Sequence, residues 1–319
     1  MDLLKEKWSN KINEVIIGAV KEEGGTRTHS VKVGGETTLP FLLEEGSMPS
    51  KPVIAMEILD MEPVDWPPVL KEPFRDVFTD PVKWAAKCVE KFKAELLCIR
   101  LQGTHPDFGN KTAPDSEKLI RDILKAVGVP LIILGSGDDD KDNQVLAKLS
   151  EAAKGEKCLL GDATDKNYKT LTASCLADGH NIIAESPIDI NIAKQINIMI
   201  NEMGFPTGKT VINPTIGGLG YGIEYGYSIM ERARLAALNG DSMLAMPFIC
   251  FVGQEAWRAK EAKADTSEHP EWGDAKQRGP MWEAQTAVTV LLAGADILVM
   301  RHPKAIESVR KYIDTLMVK

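Results

Sequence analysis

Paired cysteines are the first thing this sequence lacks. Its five cysteines, Cys88, Cys98, Cys158, Cys175 and Cys250, are scattered and odd in number. No two have the C-x-x-C spacing that a zinc site or an iron–sulfur cluster asks for. Several sit in apolar stretches, as in Leu97-Cys98-Ile99, so reduced thiols buried in a core are expected. The chain has no apolar run of about 18 residues, the minimum for a membrane-spanning helix. It has no long basic run and a net charge of -8, a poor match for nucleic acid. The first residues, Met1-Asp2-Leu3-Leu4-Lys5-Glu6-Lys7-Trp8, are too charged for a secretory signal. A cytoplasmic protein is the expectation.

What is present is length and rhythm. The chain has 319 residues, enough for a barrel of about 250 residues with an extension. Short apolar runs recur at Val53–Leu59, Leu96–Leu101, Val129–Leu134, Lys157–Leu160, Asn181–Ala184, Thr210–Ile212, Met243–Phe248 and Asp296–Met300. Stretches with apolar residues three and four apart follow them, near Asp80–Lys93, Ser116–Val127, Asn143–Ala153, Asn167–Ala177, Asn191–Met203, Tyr225–Asn239, Pro280–Ala293 and Lys304–Leu316. That makes eight strand-then-helix units. The return to each parallel neighbour needs a crossover. Continuously apolar strands are those buried on both faces. The reading is a (β/α)8 TIM barrel over residues 51–319. An open doubly wound sheet is the alternative, but no G-x-G-x-x-G fingerprint follows the first run.

Local signals mark the helix ends. Asp115-Ser116 and Asp189 offer capping oxygens, Pro280 suits a first helical turn, and Gly128 and Gly240 suit left-handed caps. Residues 1–50 read as an N-terminal β-hairpin extension. Glu14–Ala19 and Thr28–Val33 are strand-like, and Gly34-Gly35 suits a tight turn. The expected place for this hairpin is the N-terminal end of the barrel, as a plug.

A barrel presents its chemistry on the loops after its strands. Those positions hold Asp60, Gln102-Gly103, Gly135-Ser136-Gly137-Asp138, Gly161-Asp162-Ala163-Thr164, Glu185-Ser186-Pro187, Asn213-Pro214-Thr215, Pro247 and Arg301-His302-Pro303. The rim is polar but holds few obvious catalysts. No lysine lies in a strand interior, against a Schiff-base aldolase. No H-x-x-x-H pair exists, against a zinc hydrolase. Asp60, Asp162 and Glu185 leave a magnesium site open, though Asp162 also suits helix capping. Asp138-Asp139-Asp140 lacks the pattern of a calcium loop and favours a helix N-terminus.

Two segments stand out. One is Asn213-Pro214-Thr215-Ile216-Gly217-Gly218-Leu219-Gly220-Tyr221-Gly222-Ile223-Glu224-Tyr225-Gly226-Tyr227. Its glycines let backbone approach a ligand, and its tyrosines add flat apolar surface with a polar tip. That combination suits a large, partly apolar ligand or a partner surface, against the plainer reading of a flexible loop. The other is Phe251–Gly279, with Trp257 and Trp272, far longer than the usual connection of about 2–6 residues. It reads as a lid, a docking surface or a disordered insertion. His302 could act as acid, base or donor, or bond a neighbouring loop.

The segment Asn213–Tyr225, together with Met230-Glu231-Arg232 and Met300-Arg301-His302-Pro303, resembles the delta subunit of acetyl-CoA decarbonylase/synthase complexes. The bacterial counterpart is the small subunit of the corrinoid iron–sulfur protein, and the resemblance runs over the whole chain. It implies a methyl carrier of the reductive acetyl-CoA (Wood–Ljungdahl) pathway, not catalytic alone. In that family the barrel pairs with a large subunit that holds the iron–sulfur cluster and most contacts to the cobalamin. A methyltetrahydrofolate methyltransferase supplies the methyl group, and acetyl-CoA synthase receives it. The resemblance therefore implies a cobalamin shared between two subunits. The positions here that would contact it are Ser136, Asn213, Thr215, Gly217, Gly218, Gly220, Tyr221, Arg301 and His302.

The residues agree in two respects. There is no cluster-binding cysteine pattern, and Asp178-Gly179-His180 does not continue into the D-x-H-x-x-G signature of many cobalamin-binding domains. Two other readings stay open. One is a pterin-dependent methyltransferase barrel, with Asp162 and Asn213 bonding the pterin. The other is a purely structural partner subunit.

Overall fold

The computed structural model describes residues 5–318. Ten strands and eleven α-helices follow one another. The strands are β1 (Val15–Ile17), β2 (Val31–Val33), β3 (Val53–Leu59), β4 (Leu97–Arg100), β5 (Leu131–Leu134), β6 (Leu159–Ala163), β7 (Asn181–Glu185), β8 (Thr210–Asn213), β9 (Phe248–Cys250) and β10 (Ala295–Met300). The helices are α1 (Pro68–Lys71), α2 (Pro81–Glu90), α3 (Ala113–Ala126), α4 (Asp139–Ala152), α5 (Tyr168–Asp178), α6 (Ile190–Glu202), α7 (Ile223–Leu238), α8 (Val252–Ala256), α9 (Lys260–Lys263), α10 (Ala275–Leu292) and α11 (Pro303–Leu316). Strands β3 to β10 pair in parallel and close, β10 against β3, into an eight-stranded barrel. The expected TIM-barrel architecture is the one observed.

Period-2 alternation sorts each barrel strand's side chains between two cores. Ala55, Cys98, Ile132, Leu159, Ile183, Val211, Ile249 and Ile297 point into the barrel and pack on one another. Met56, Ile58, Leu97, Ile99, Leu131, Ile133 and Leu298 face outward and pack under the helices. Both sets are almost wholly buried, which is why the runs read as continuously apolar.

The extension forms an antiparallel pair, with Val15 opposite Val33 and Ile17 opposite Val31. All four side chains join the interior core of the barrel. The pair sits at the N-terminal end, where Gly18 N–H donates to Lys157 carbonyl oxygen (2.8 Å) and Asn181 Nδ2 to Ile16 carbonyl oxygen (2.9 Å). Its connection is the segment 18–30. Gly34-Gly35 follows β2 instead of turning the hairpin. Both glycines adopt positive φ, and a Cβ on Gly34 would lie 2.0 Å from Asn13 carbonyl oxygen.

Other local expectations shift. The seventh barrel strand begins at Phe248, so Pro247 lies at the N-terminal end of the barrel, against Gly34, and is not a rim residue. In the apolar run Met243–Met246, Leu244, Ala245 and Met246 are a buried approach to the strand; apolarity reports burial and not extension. Thr112 and not Ser116 caps α3, with Asp115 as the reciprocal partner in a capping box. Pro280 lies inside α10, which starts five residues earlier behind an Asp274 cap. Gly128 is not left-handed, whereas Gly240 is (φ 112°). Asp189 caps α6 as expected.

Candidate functional site at the barrel mouth

The inward alternation continues one step beyond the apolar layers, and there it becomes charged. Two residues past inward Ala55, Cys98, Ile183, Val211, Ile249 and Val299 stand Glu57, Arg100, Glu185, Asn213, Phe251 and Arg301. This ring is the floor of the mouth at the C-terminal end of the strands.

On one side of the floor Glu57 is fully buried. Its Oε1 accepts from Arg100 Nε at 2.7 Å, and its Oε2 accepts from Arg301 Nε. The two guanidinium charges overcome the cost of burial and hold the Glu57 carboxyl at about 2. The guanidinium carbons lie over aromatic rings, Arg100 5.0 Å from the Phe251 centroid and Arg301 5.1 Å from that of Trp66.

Across the floor Asn213 Nδ2 reaches Asp162 Oδ1 at 3.4 Å, and Asn213 Oδ1 accepts from Thr215 N–H at 3.0 Å. Glu185 is the neighbour of Asn213 in register. Burial, then the nearby Glu185 charge, lifts the Asp162 carboxyl well above the usual range; burial lifts Glu185 as well. Asp162 does not act through helix capping by its carboxylate: Asn167 binds its main-chain oxygen at 3.0 Å.

Asp60 stands apart from this pair. Its Oδ1 accepts from Gly103 N–H at 2.7 Å, and Lys111 bonds its carbonyl oxygen. Among the described residues no three His, Cys, Asp or Glu side chains come together as a metal-holding group, so Asp60, Asp162 and Glu185 do not converge. Asp138 caps α4, accepting from Lys141 N–H at 2.8 Å, with Asp139 and Asp140 in the first turn. Ser136 is drawn inward, its N–H and hydroxyl both donating to Asp142 Oδ1 (2.8 and 2.9 Å).

The glycine–tyrosine segment is an ordered rim and not a free loop. Thr215 takes a positive φ of 49°; its hydroxyl donates to Ser186 carbonyl oxygen and accepts from Ile188 N–H. Gly217 and Gly218 are required by close packing: an added Cβ would lie 2.3 Å from Tyr221 carbonyl oxygen and 2.8 Å from Glu255 carbonyl oxygen, respectively. Gly220 and Gly222 have positive φ. The phenol of Tyr221 donates to Glu261 Oε2 at 3.0 Å and accepts from Lys260 N–H at 3.3 Å. Tyr221 and Tyr225 are both more than half exposed.

The long segment after β9 is folded as α8, α9 and the start of α10. Its anchor is Glu283, fully buried on α10. The Glu283 carboxyl accepts from Trp257 Nε1 at 2.8 Å, from His302 N–H at 3.0 Å and from Arg301 N–H, while burial lifts its pKa to about 7. His302 is equally enclosed. Its Nδ1 caps α11, accepting from Lys304 N–H at 3.2 Å, and burial and the Lys304 charge lower its pKa to about 4. The ring is a neutral structural cap and is not presented to the mouth as an acid.

The structure thus joins Asn213 to Asp162, Arg301 to Glu57 and Arg100, and Tyr221 to Glu261, and it leaves Ser136 on a separate part of the rim. Glu57, Arg100, Glu261 and Glu283 were not among the residues anticipated. Glu57 and Arg100 did carry a signal: each is a lone charge in a strand otherwise apolar on both faces, and a buried charge needs a partner. Nothing in the spacing of Glu283 or Glu261 marks them.

The chain matches the model of the family described as CO dehydrogenase/acetyl-CoA synthase delta subunit over residues 14–312. It is 36% identical over 317 residues to the acetyl-CoA decarbonylase/synthase complex subunit delta of Archaeoglobus fulgidus, covering 98% of this chain and 70% of that protein. To the subunit delta of Methanocaldococcus jannaschii it is 36% identical, covering 98% and 76%. Among solved structures it resembles dihydropteroate synthase from Xanthomonas albilineans with 4-aminobenzoic acid. There the TM-score is 0.56 and the identity 12%, covering 88% of this chain and 99% of that one. A dihydropteroate synthase from Coxiella burnetii in complex with pteroic acid gives TM-score 0.56 and 13% identity, covering 88% and 98%. At those identities the likeness speaks to the barrel fold alone. The match along nearly the whole length settles the lineage: this chain belongs to the CO dehydrogenase/acetyl-CoA synthase delta subunit family.

Proposed function

We propose that this chain is the small subunit of a corrinoid iron–sulfur methyl carrier. With a large subunit it encloses a cobalamin that takes a methyl group from methyltetrahydrofolate through a methyltransferase and passes it to acetyl-CoA synthase. The observation that carries this reading is the rim segment Gly217–Tyr225. It presents two exposed tyrosines and a glycine backbone beside a polar mouth, on a chain of the delta subunit family. Such a surface fits one wall of a corrinoid site: flat apolar rings against the macrocycle, and main-chain N–H and carbonyl groups for its amide side chains. Bound there, the corrinoid would supply the cobalt that carries the methyl group. The chain's own part is to orient the macrocycle and exclude water from one face. In this reading Asn213, Thr215, Gly217, Gly218, Gly220 and Tyr221 form that wall, with Arg301 beneath it. Ser136 and His302 contribute only through the backbone they hold.

The donor set argues for placing an iron–sulfur cluster on the large subunit. All five cysteines are buried, and burial pushes the thiols up, that of Cys158 to about 12, whereas a cluster ligand must be a thiolate.

The test is an absorbance spectrum of the chain purified alone and again after co-expression with the large subunit. A corrinoid band only in the co-expressed complex is the expected result. The contact between Asp162 and Asn213 favours a second reading, a pterin-dependent methyltransferase. Saturable binding of methyltetrahydrofolate to the lone chain, with methyl transfer to free cobalamin and no corrinoid in the complex, would establish that reading instead.

A further inference from the structure

The arginines on the mouth floor have donors to spare. A guanidinium offers five N–H groups in a rigid fork. Arg100 and Arg301 each spend only Nε on Glu57. Among the described residues the terminal nitrogens of both side chains have no hydrogen-bond partner, and Nη2 of Arg100 is buried without one. Both side chains are nonetheless reached from the mouth, with 16% of Arg100 and 8% of Arg301 exposed.

Packing helps to hold both side chains in place. The stem of Arg301 packs so closely on Gly253 that a Cβ there would lie 2.7 Å from it. One face of each guanidinium lies against a ring, Phe251 for Arg100 and Trp66 for Arg301, and the unmet N–H groups lie in the guanidinium plane.

The acceptors do not match the donors either. Two guanidinium groups share one carboxylate. Asp162 and Glu185 lie across the floor and no hydrogen bond joins either of them to an arginine among the described residues. Burial raises both carboxyls, with Arg100 opposing it, and neither supplies an acceptor to the unmet N–H groups. A buried cation without a full set of acceptors is costly, and two partly exposed guanidinium groups fixed at the end of the barrel with N–H groups unmet are suited to an anion.

We propose that the unpaired edges of Arg100 and Arg301 form a binding site for an oxyanion group, a phosphate or a carboxylate, on a ligand that enters the barrel mouth. The site is built from the first, second and last barrel strands, is backed by Phe251 and Trp66, and does not depend on the corrinoid reading. Glu57 is its positioning residue: it holds the two guanidinium groups apart by one oxygen each.

The probes are inorganic phosphate and succinate, titrated calorimetrically into the full chain at constant ionic strength set with chloride. Wild type is expected to bind at least one of them saturably at one site per chain. A phosphate-only result assigns a phosphoryl group, and a succinate-only result assigns a carboxylate. Arg100→Gln and Arg301→Gln are each expected to weaken binding about tenfold or more, the loss of charge-assisted hydrogen bonds. Arg301→Lys should fall between, because it keeps the charge without the fork, and Lys148→Ala on exposed α4 should bind as wild type. If an arginine variant does not fold, the wild-type titration still decides. No saturable binding of either anion overturns the proposal, as does binding unchanged in the arginine variants.

Discussion

Tyr221 and Glu261 are joined by a 3.0 Å hydrogen bond from the phenol to the carboxylate. This contact ties the glycine-rich rim after β8 to the helical segment after β9. The two stretches that looked most unusual in the sequence are therefore one surface. Tyr221→Phe should cost less than about 1 kcal/mol, since the pair is solvent-exposed. Its effect should be local. Faster amide hydrogen exchange at Lys260, whose N–H also bonds the phenol oxygen, is expected over unchanged exchange in the barrel strands. Unchanged exchange at Lys260 would show that the rim is held by other contacts.

Glu57 should make stability fall in acid. Its folded pKa of about 2 lies below the unfolded value of 4.5. Its contribution is thus present above pH 4.5 and is lost as pH falls through about 2. Glu57→Gln should destabilise by about 3–5 kcal/mol at neutral pH, the range for breaking a buried pair. In denaturant titrations the gap between wild type and variant should close as pH drops below 4.5. A gap independent of pH would mean that the carboxylate charge is not what holds the arginines.

The opposite sign applies at the other end of the barrel. Burial, with repulsion from Asp296, raises the Glu36 pKa to about 8. Its neutral form is the one the fold prefers, so the contribution present below pH 4.5 is lost as pH rises through about 8. Thermal midpoints should decline from pH 6 to 9 in wild type and decline less in Glu36→Gln. Parallel curves for the two proteins would refute the assignment.

Glu283→Ala would remove the acceptor shared by Trp257, Arg301 and His302. Three buried donors left unmet should cost about 3 kcal/mol or more. Limited proteolysis should then cut within 251–279 before the rest of the chain. Cleavage elsewhere first would show that this segment does not depend on Glu283.

Gly217→Ala places a methyl group 2.3 Å from Tyr221 carbonyl oxygen, and the rim must shift. The overpacking cost should be about 1–3 kcal/mol. In the co-expressed complex the corrinoid absorbance per chain should drop. Full corrinoid content in a folded Gly217→Ala complex would remove this segment from the proposed wall.

The sequence by itself determined the barrel. Eight apolar runs, each followed by a helical stretch, admit few arrangements. The continuous apolarity of Val129–Leu134 meant burial on both faces. It also marked the two strands of the hairpin and the Asp189 cap. Where apolarity and extension part company it misled, as at Met243–Met246, and it could not show that Pro280 rides inside a helix begun by an Asp274 cap. Only the tertiary structure decided which charges meet. Glu57 and Arg301 are 244 positions apart and touch because closing the barrel pairs β10 with β3. Periodicity tells which face a side chain takes, but the partner across a closed sheet is set by strand order and register. The same holds for Asn213 with Asp162, Tyr221 with Glu261 and Glu283 with the 301–302 backbone. The site is made of contacts between loops far apart in the chain, and local pattern carries no information about them.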